Sequence, residues 1–302
     1  MSMSETRYRI SQQMESRSDK EERDFWSYFD AYKMSGKGAT VVRSELRSFQ
    51  HVTNESRVRD EALLAKKKGR PKMREQKPSG TDAFAFENFL TAQAKRSNWF
   101  GGELSPTTEY DDWISGVDAV VEWRAEDGGL PIRMAIDFTS TTQFETLYKK
   151  SDKLEGNVTV KYFRSAIENE DGEPKEFRAS MPIVLLGLDE EGFREIVRRA
   201  VPLDHHHPLR RLLLEQTAAQ VDFQLTELTR FISGTQMARN GRPIDEVLDR
   251  GVHPKIKQRF HDLSRLKERV DEELVRASLI PIDERWTKIA ATSKTHLTLS
   301  GR

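Results

Sequence analysis

The clearest pattern of apolar and polar positions lies between residues 115 and 139. Two short blocks, Val117–Trp123 and Ile132–Thr139, are mostly apolar, and the segment "AEDGG" between them has the residues a chain reversal needs, which predicts a β-hairpin. Ahead of it, "TDAFAFENFLTAQAKRS" from Thr81 carries Phe84, Asn88 or Phe89, and Ala92 along one face of a predicted helix. "SPTTEYDDWIS" is polar and predicts a short strand or loop. After the hairpin, "TTQFETLYKKSDKLEG" reads as a helix with Phe144, Leu147 and Leu154 inward and Gly156 just past its end. "VTVKYFR" and "MPIVLLGLD" read as two further strands, and "EEGFREIVRRA" closes the unit as a helix. The fold class expected from this order is α/β, a mixed central sheet flanked by helices.

The flanks differ in character. "SDKEERDFWSYFDAYK" predicts an N-terminal helix, with Ser18 and Glu21 spaced as a capping box and Phe25, Phe29 and Tyr32 on one face. From Arg57 to Gly80 the chain turns basic, contains Pro and Gly, and keeps no sustained period, which predicts a linker or arm. Beyond Pro202 the pattern is helical. Leu214, Ala218, Val221, Leu225, Leu228 and Ile232 recur at heptad-like spacing, and Ile256, Phe260, Leu263, Lys267, Val270 and Leu274 nearly repeat it. Two helices of this kind predict an antiparallel hairpin on the main domain, or a coiled coil that pairs two copies as a homodimer. The expected division is a small helical element over 1–56, a basic linker over 57–80, an α/β domain over 81–201 and a helical region over 202–302.

Composition narrows the chemistry. A chain of 302 residues without cysteine can build a core unaided, and it excludes disulfide frameworks, thiolate metal sites and Cys nucleophiles. No apolar run is long enough for a membrane span and no secretory h-region opens the chain, so no membrane partner and a cytoplasmic location are expected. The net charge of zero hides a segregation: residues 1–80 carry six more basic than acidic residues, 81–200 carry nine more acidic, and 201–302 carry three more basic. An acidic middle opposes a nucleic-acid groove there unless metal ions offset the carboxylates.

Two of those carboxylates interrupt the hairpin strands, Asp118 in "GVDAVVEW" and Asp137 in "IRMAIDFTS". Asp is depleted from strand interiors, and a buried carboxylate needs a cation. Alternation sets Asp118 with Val120 and Glu122 on one face, with Val117, Ala119 and Val121 on the other, and groups Asp137 with Ala135 and Thr139. If the two Asp faces coincide, the carboxylates lie about 5 Å apart across the ladder. Hard cations such as Mg²⁺ take such ligands. The same residues also fit a structural role, Asp118 capping a strand start and Asp137 with Thr139 forming a strand-end turn.

A helix with Glu87, a strand with Asp118, a strand ending in Asp137-Phe138-Thr139 and a lysine-bearing helix together resemble the PD-(D/E)XK nuclease superfamily over residues 81–200. The resemblance implies a restriction-endonuclease-like sheet and Mg²⁺- or Mn²⁺-dependent hydrolysis of phosphodiester bonds. It makes Asp118 the first metal-binding acid, Asp137 the motif acid and Glu87 an additional metal ligand. Thr139 stands where the family has lysine. The resemblance then turns to a lysine supplied by the following helix, with Lys149 and Lys153 one turn apart on one face and Lys150 rotated about 100° away. The alternative is a non-catalytic scaffold binding nucleic acid or protein on the same fold. Gly69-Arg70-Pro71 within "AKKKGRPKMRE" is similar to an AT-hook core, making Lys66, Lys67, Lys68, Arg70 and Lys72 candidate contacts to nucleic acid, DNA before RNA. His205, His206 and His207 are consecutive, point different ways and read as an exposed loop. "SGKGAT" lacks the ending of a phosphate loop.

Overall fold

The central hairpin forms as antiparallel strands β2 (Ala119–Trp123) and β3 (Ile132–Thr139), registered from Ala119 against Ile136 to Trp123 against Ile132. The computed structural model describes residues 41, 43–69, 79–125, 128–139, 150, 152–167, 175–188, 204–235 and 241–282, the side chains of 79–86 and 250 excepted. β1 (Glu103–Pro106) pairs antiparallel with β2, β5 (Glu176–Gly187) runs parallel to β3, and β4 (Asn157–Arg164) lies antiparallel on β5. The result is an open, mixed five-stranded sheet in the order β1-β2-β3-β5-β4.

One face of the sheet carries the larger core. Ala119, Val121, Met134, Ile136, Phe138, Val184 and Leu186 pack there against helix α2 (Ser79–Arg96) and the C-terminal helices α4 (Pro208–Ser233), α5 (Ile244–Arg250) and α6 (Pro254–Ser278). The apolar stripe of α4 and α6 is spent on this intramolecular core, with Leu214, Val221, Leu228, Leu263, Leu266 and Val270 buried. Both long helices begin with a His-Pro pair. The proline sets the first turn, and the imidazole Nδ1 of His207 or His253 accepts an N–H two residues on. His207 is therefore a buried helix cap and not part of an exposed loop. The opposite face packs Val120, Ala135, Ile183 and Leu185 with Val160, Phe163 and Leu154.

Contact between α4 and β5 is made partly by polar side chains. β4 pairs with β5 only as far as Pro182, so the last residues of β5 lack a strand on that edge. Gln216 and Gln220 each accept from and donate to the backbone of Gly187 and Leu185, and Gln224 donates to the Ile183 carbonyl. Four residues of helix advance about 6 Å and two residues of strand about 6.6 Å, so glutamines at every fourth position track alternate strand residues. They satisfy an edge that would otherwise leave buried peptide groups unpaired.

Three expectations need correction. Residues Asn54–Lys68 form helix α1, capped by Thr53, so the linker expected over 57–80 is helical over its first part. "SPTTEYDDWIS" holds both β1 and a helix, α3 (Glu109–Ser115), which Thr108 caps and Gly116 ends in the left-handed region at φ 62°. Val117 packs with Val120 and not with Ala119 and Val121, because that left-handed turn precedes the strand and breaks the alternation. The helix expected over 18–33, Arg70, Lys72, Phe144, Leu147, Lys149 and the helix expected over 190–200 lie outside the described residues.

Candidate active site

At the Pro106–Ala119 end of the β1–β2 ladder the sheet gathers acids from four elements. Asp118 lies one step past the last β2–β3 pair, which sets it opposite Asp137. Its Oδ2 accepts the Phe138 N–H at 2.7 Å, the side chain standing in for a backbone acceptor, and it is buried. Asp137 is also buried, and each of its oxygens is taken by an ammonium: Lys150 Nζ at 2.6 Å from Oδ1 and Lys153 Nζ at 2.9 Å from Oδ2. Lys153 reaches back to the Gly116 carbonyl at 3.3 Å. A Cβ at Gly116 would displace that ammonium, and the positive φ is what calls for glycine here.

Two further groups complete the cluster, and sequence reading missed both. Asp112, on α3, faces it, and Arg43 bridges the two sides, its Nη2 3.1 Å from Asp112 and 3.7 Å from Asp118. Arg43 Nη1 donates to Thr107 at 3.3 Å to the carbonyl and 3.4 Å to the hydroxyl. Its segment is fixed by Phe49 and Val52, which pack with Tyr110 and Tyr162. Adjacent acids on α3 point to different tasks: Asp111 accepts the Lys161 and Tyr162 N–H groups of β4 at 2.7 and 3.0 Å, while Asp112 looks into the cluster. No signal near Arg43 marks it, since its partners lie more than 60 residues away. Asp112 had a signal, the Thr108 cap followed by acids in the first turn.

Among the described residues four carboxylates share three cations here. Burial, with the fields of Asp112 and Asp137, pushes Glu87 up to about 8 despite Lys150 and Arg43. Burial, reinforced by Glu87, Asp112 and Asp137, drives Asp118 well above the carboxylate range, and burial raises Asp112 against the pull of Arg43. Burial alone would lower the pKa of Lys150, but Asp137, Glu87 and Asp118 outweigh it and hold the pKa above the ordinary lysine value.

Among the sequence-predicted residues, Asp118, Asp137, Glu87 and Lys153 meet at this cluster. Lys150, which the ideal-helix argument rotated away from Lys149, meets it too: it stands three residues before Lys153, and both ammoniums close on Asp137. Thr139, at the position of the family's lysine, is buried. Lys67 donates to the Trp113 carbonyl and Lys68 pairs with Glu109, so the basic end of α1 lies along α3, the helix that carries Asp112.

The donor set suits a hard divalent cation in kind, carboxylate oxygens with uncompensated negative charge. Among the described residues no three acidic or histidine side chains already converge as metal ligands. No family model, curated protein or solved structure matches the chain.

Proposed function

We propose that the chain is a metal-dependent nuclease of the PD-(D/E)XK type. The observation that carries this is the meeting of Asp118, Asp137 and Glu87 with two lysines from the segment after β3, at the end of a mixed sheet. Asp118 and Asp137 would hold Mg²⁺ or Mn²⁺, with Glu87 completing the set. Such an ion supplies a water of lowered pKa and neutralises charge developing on a phosphodiester. Lys150, ion-paired with Asp137, would serve as a cation toward the phosphate or the attacking water. Lys153, tied to both Asp137 and the Gly116 carbonyl, positions the motif acid. The basic end of α1, with Lys66, Lys67 and Lys68, starts the arm beside α3 and suits contact with the nucleic-acid backbone.

The self-neutralised state of Asp137 favours a second reading, in which the acids and lysines only brace the hairpin and the sheet serves as a binding scaffold. Incubating the full chain with plasmid, linear duplex, single-stranded DNA and RNA in Mg²⁺, Mn²⁺ or EDTA separates the two. Cleavage in metal alone that Asp137→Asn abolishes supports the nuclease. Inert wild-type protein that also fails to bind Mn²⁺ by calorimetry selects the scaffold.

A further inference from the structure

Arg43 enters the acidic cluster from irregular chain just ahead of a 3₁₀ turn at Leu46–Ser48. One of its nitrogens, Nη2, stands 3.1 Å from a carboxylate oxygen of Asp112 and 3.7 Å from one of Asp118. The two carboxyls are themselves within hydrogen-bonding reach of each other. Oxygens from α3 and from the residue before β2 thus face a single point, and that point already holds positive charge. Since residue 43 belongs to no helix or strand, its side chain can leave that point without opening a regular element.

The guanidinium is held there by charge more than by direction. Its hydrogen bonds come from Nη1 alone, both to Thr107 and both long, at 3.3 and 3.4 Å. Nε and Nη2 are buried without a hydrogen-bond partner, so the contacts of Nη2 with the two acids are ion pairs without hydrogen-bond alignment. Arg133 shows the usual arrangement, its Nε donating to Glu122 at 2.8 Å. Buried N–H groups without acceptors are costly, and an undirected Coulombic contact is one that a spherical ion of higher charge can replace. Hard divalent cations take carboxylate oxygens of this kind. We propose that Arg43 is the resident counter-ion of Asp112 and Asp118, that a divalent cation takes these carboxylates by displacing the guanidinium, and that Asp112 thereby joins the metal ligands. This rests on the metal-site reading above and deepens it: competition from Arg43 sets the metal concentration at which the site loads.

Calorimetric titration of the full chain with Mn²⁺ tests this, in wild type, Arg43→Gln, Arg43→Ala and Asp112→Asn. Glutamine keeps a donor for Thr107, and a gain in affinity is a result that a misfolded site does not produce. Mn²⁺ binding is expected to tighten by about five-fold or more in both Arg43 variants and to weaken by about as much in Asp112→Asn. Unchanged or weaker binding in both Arg43 variants, or wild-type binding in Asp112→Asn, overturns the proposal. Cleavage assays on the same proteins keep the two readings apart. Tighter Mn²⁺ binding in the Arg43 variants of a chain that cuts no nucleic acid leaves the exchange standing and removes the nuclease. Metal-dependent cleavage with an Mn²⁺ affinity that neither Arg43 variant raises leaves the nuclease standing and removes the exchange.

Discussion

The sheet buries two kinds of carboxylate. Glu122, opposite Arg133 in the hairpin, accepts from Arg133 at 2.8 Å, from the Ser165 hydroxyl at 3.0 Å and from the Ala166 N–H at 2.7 Å. Asp111 similarly owns two N–H groups of β4 and the Thr108 hydroxyl. Each has donors of its own. At the other end of the hairpin, Asp118, Asp137, Asp112 and Glu87 divide Arg43, Lys150 and Lys153 among themselves; burial first, and then their mutual repulsion, raises the pKa of Glu87, Asp118 and Asp112, whereas burial raises Asp111 against donors that are its own. Burial of an acid is thus no mark of function by itself. A cluster that lacks enough cations is costly unless something else supplies charge, and such sites are where functional groups concentrate.

The contrast predicts opposite outcomes for similar substitutions. Asp137→Asn is expected to lower metal-dependent cleavage by about 10³-fold or more while the midpoint of urea unfolding changes little, since Lys150 and Lys153 are partly exposed and turn to water. Glu122→Ala is expected to do the reverse, costing about 3–5 kcal/mol of stability by emptying a fully buried site and removing the acceptor of Arg133, the buried Ser165 hydroxyl and the Ala166 N–H, while leaving Mn²⁺ affinity unchanged in whatever protein remains folded. A large stability loss in Asp137→Asn with no change in Mn²⁺ binding would erase the distinction.

Within the cluster, Lys150→Ala is expected to slow cleavage by about 10²- to 10³-fold. Lys153→Ala acts through the placement of Asp137 and should cost less, about ten-fold, with a measurable loss of Mn²⁺ affinity. Equal rates for wild type and the double variant would remove both lysines from the mechanism.

The shared charge also has a pH signature. Glu87 is raised from 4.5 in the unfolded chain to about 8 when folded. The native state therefore holds its proton more tightly, and the stability this gives is present below pH 4.5 and drains away as pH rises through 8. Urea midpoints of metal-free protein should fall across that window, and Glu87→Gln should flatten this component of the slope. A wild-type slope identical to that of Glu87→Gln would show that folding does not raise the pKa of Glu87.

The smallest effect concerns the basic end of α1. Replacing Lys66, Lys67 and Lys68 by alanine should reduce the salt dependence of duplex binding by up to about three phosphate contacts, with the catalytic rate at saturating substrate intact. An unchanged salt slope would confine these lysines to packing on α3.

Much of the fold was legible in the sequence. The hairpin strands, the two later strands and the paired C-terminal helices follow from local periodicity and from breakers such as "AEDGG", because which face of an element is buried is written in its own residues. Asp118 and Asp137 stood out for the same reason, as carboxylates in apolar runs. What only the tertiary structure decided is who their neighbours are. Arg43 reaches the cluster from a segment docked by Phe49 and Val52, Lys150 joins Lys153 on Asp137, and Gln216, Gln220 and Gln224 find β5 at helix-to-strand spacing. Local pattern fixes the direction a side chain faces relative to its own backbone. The partner it meets depends on how distant segments pack, and over such separations one sequence holds no local record of that contact.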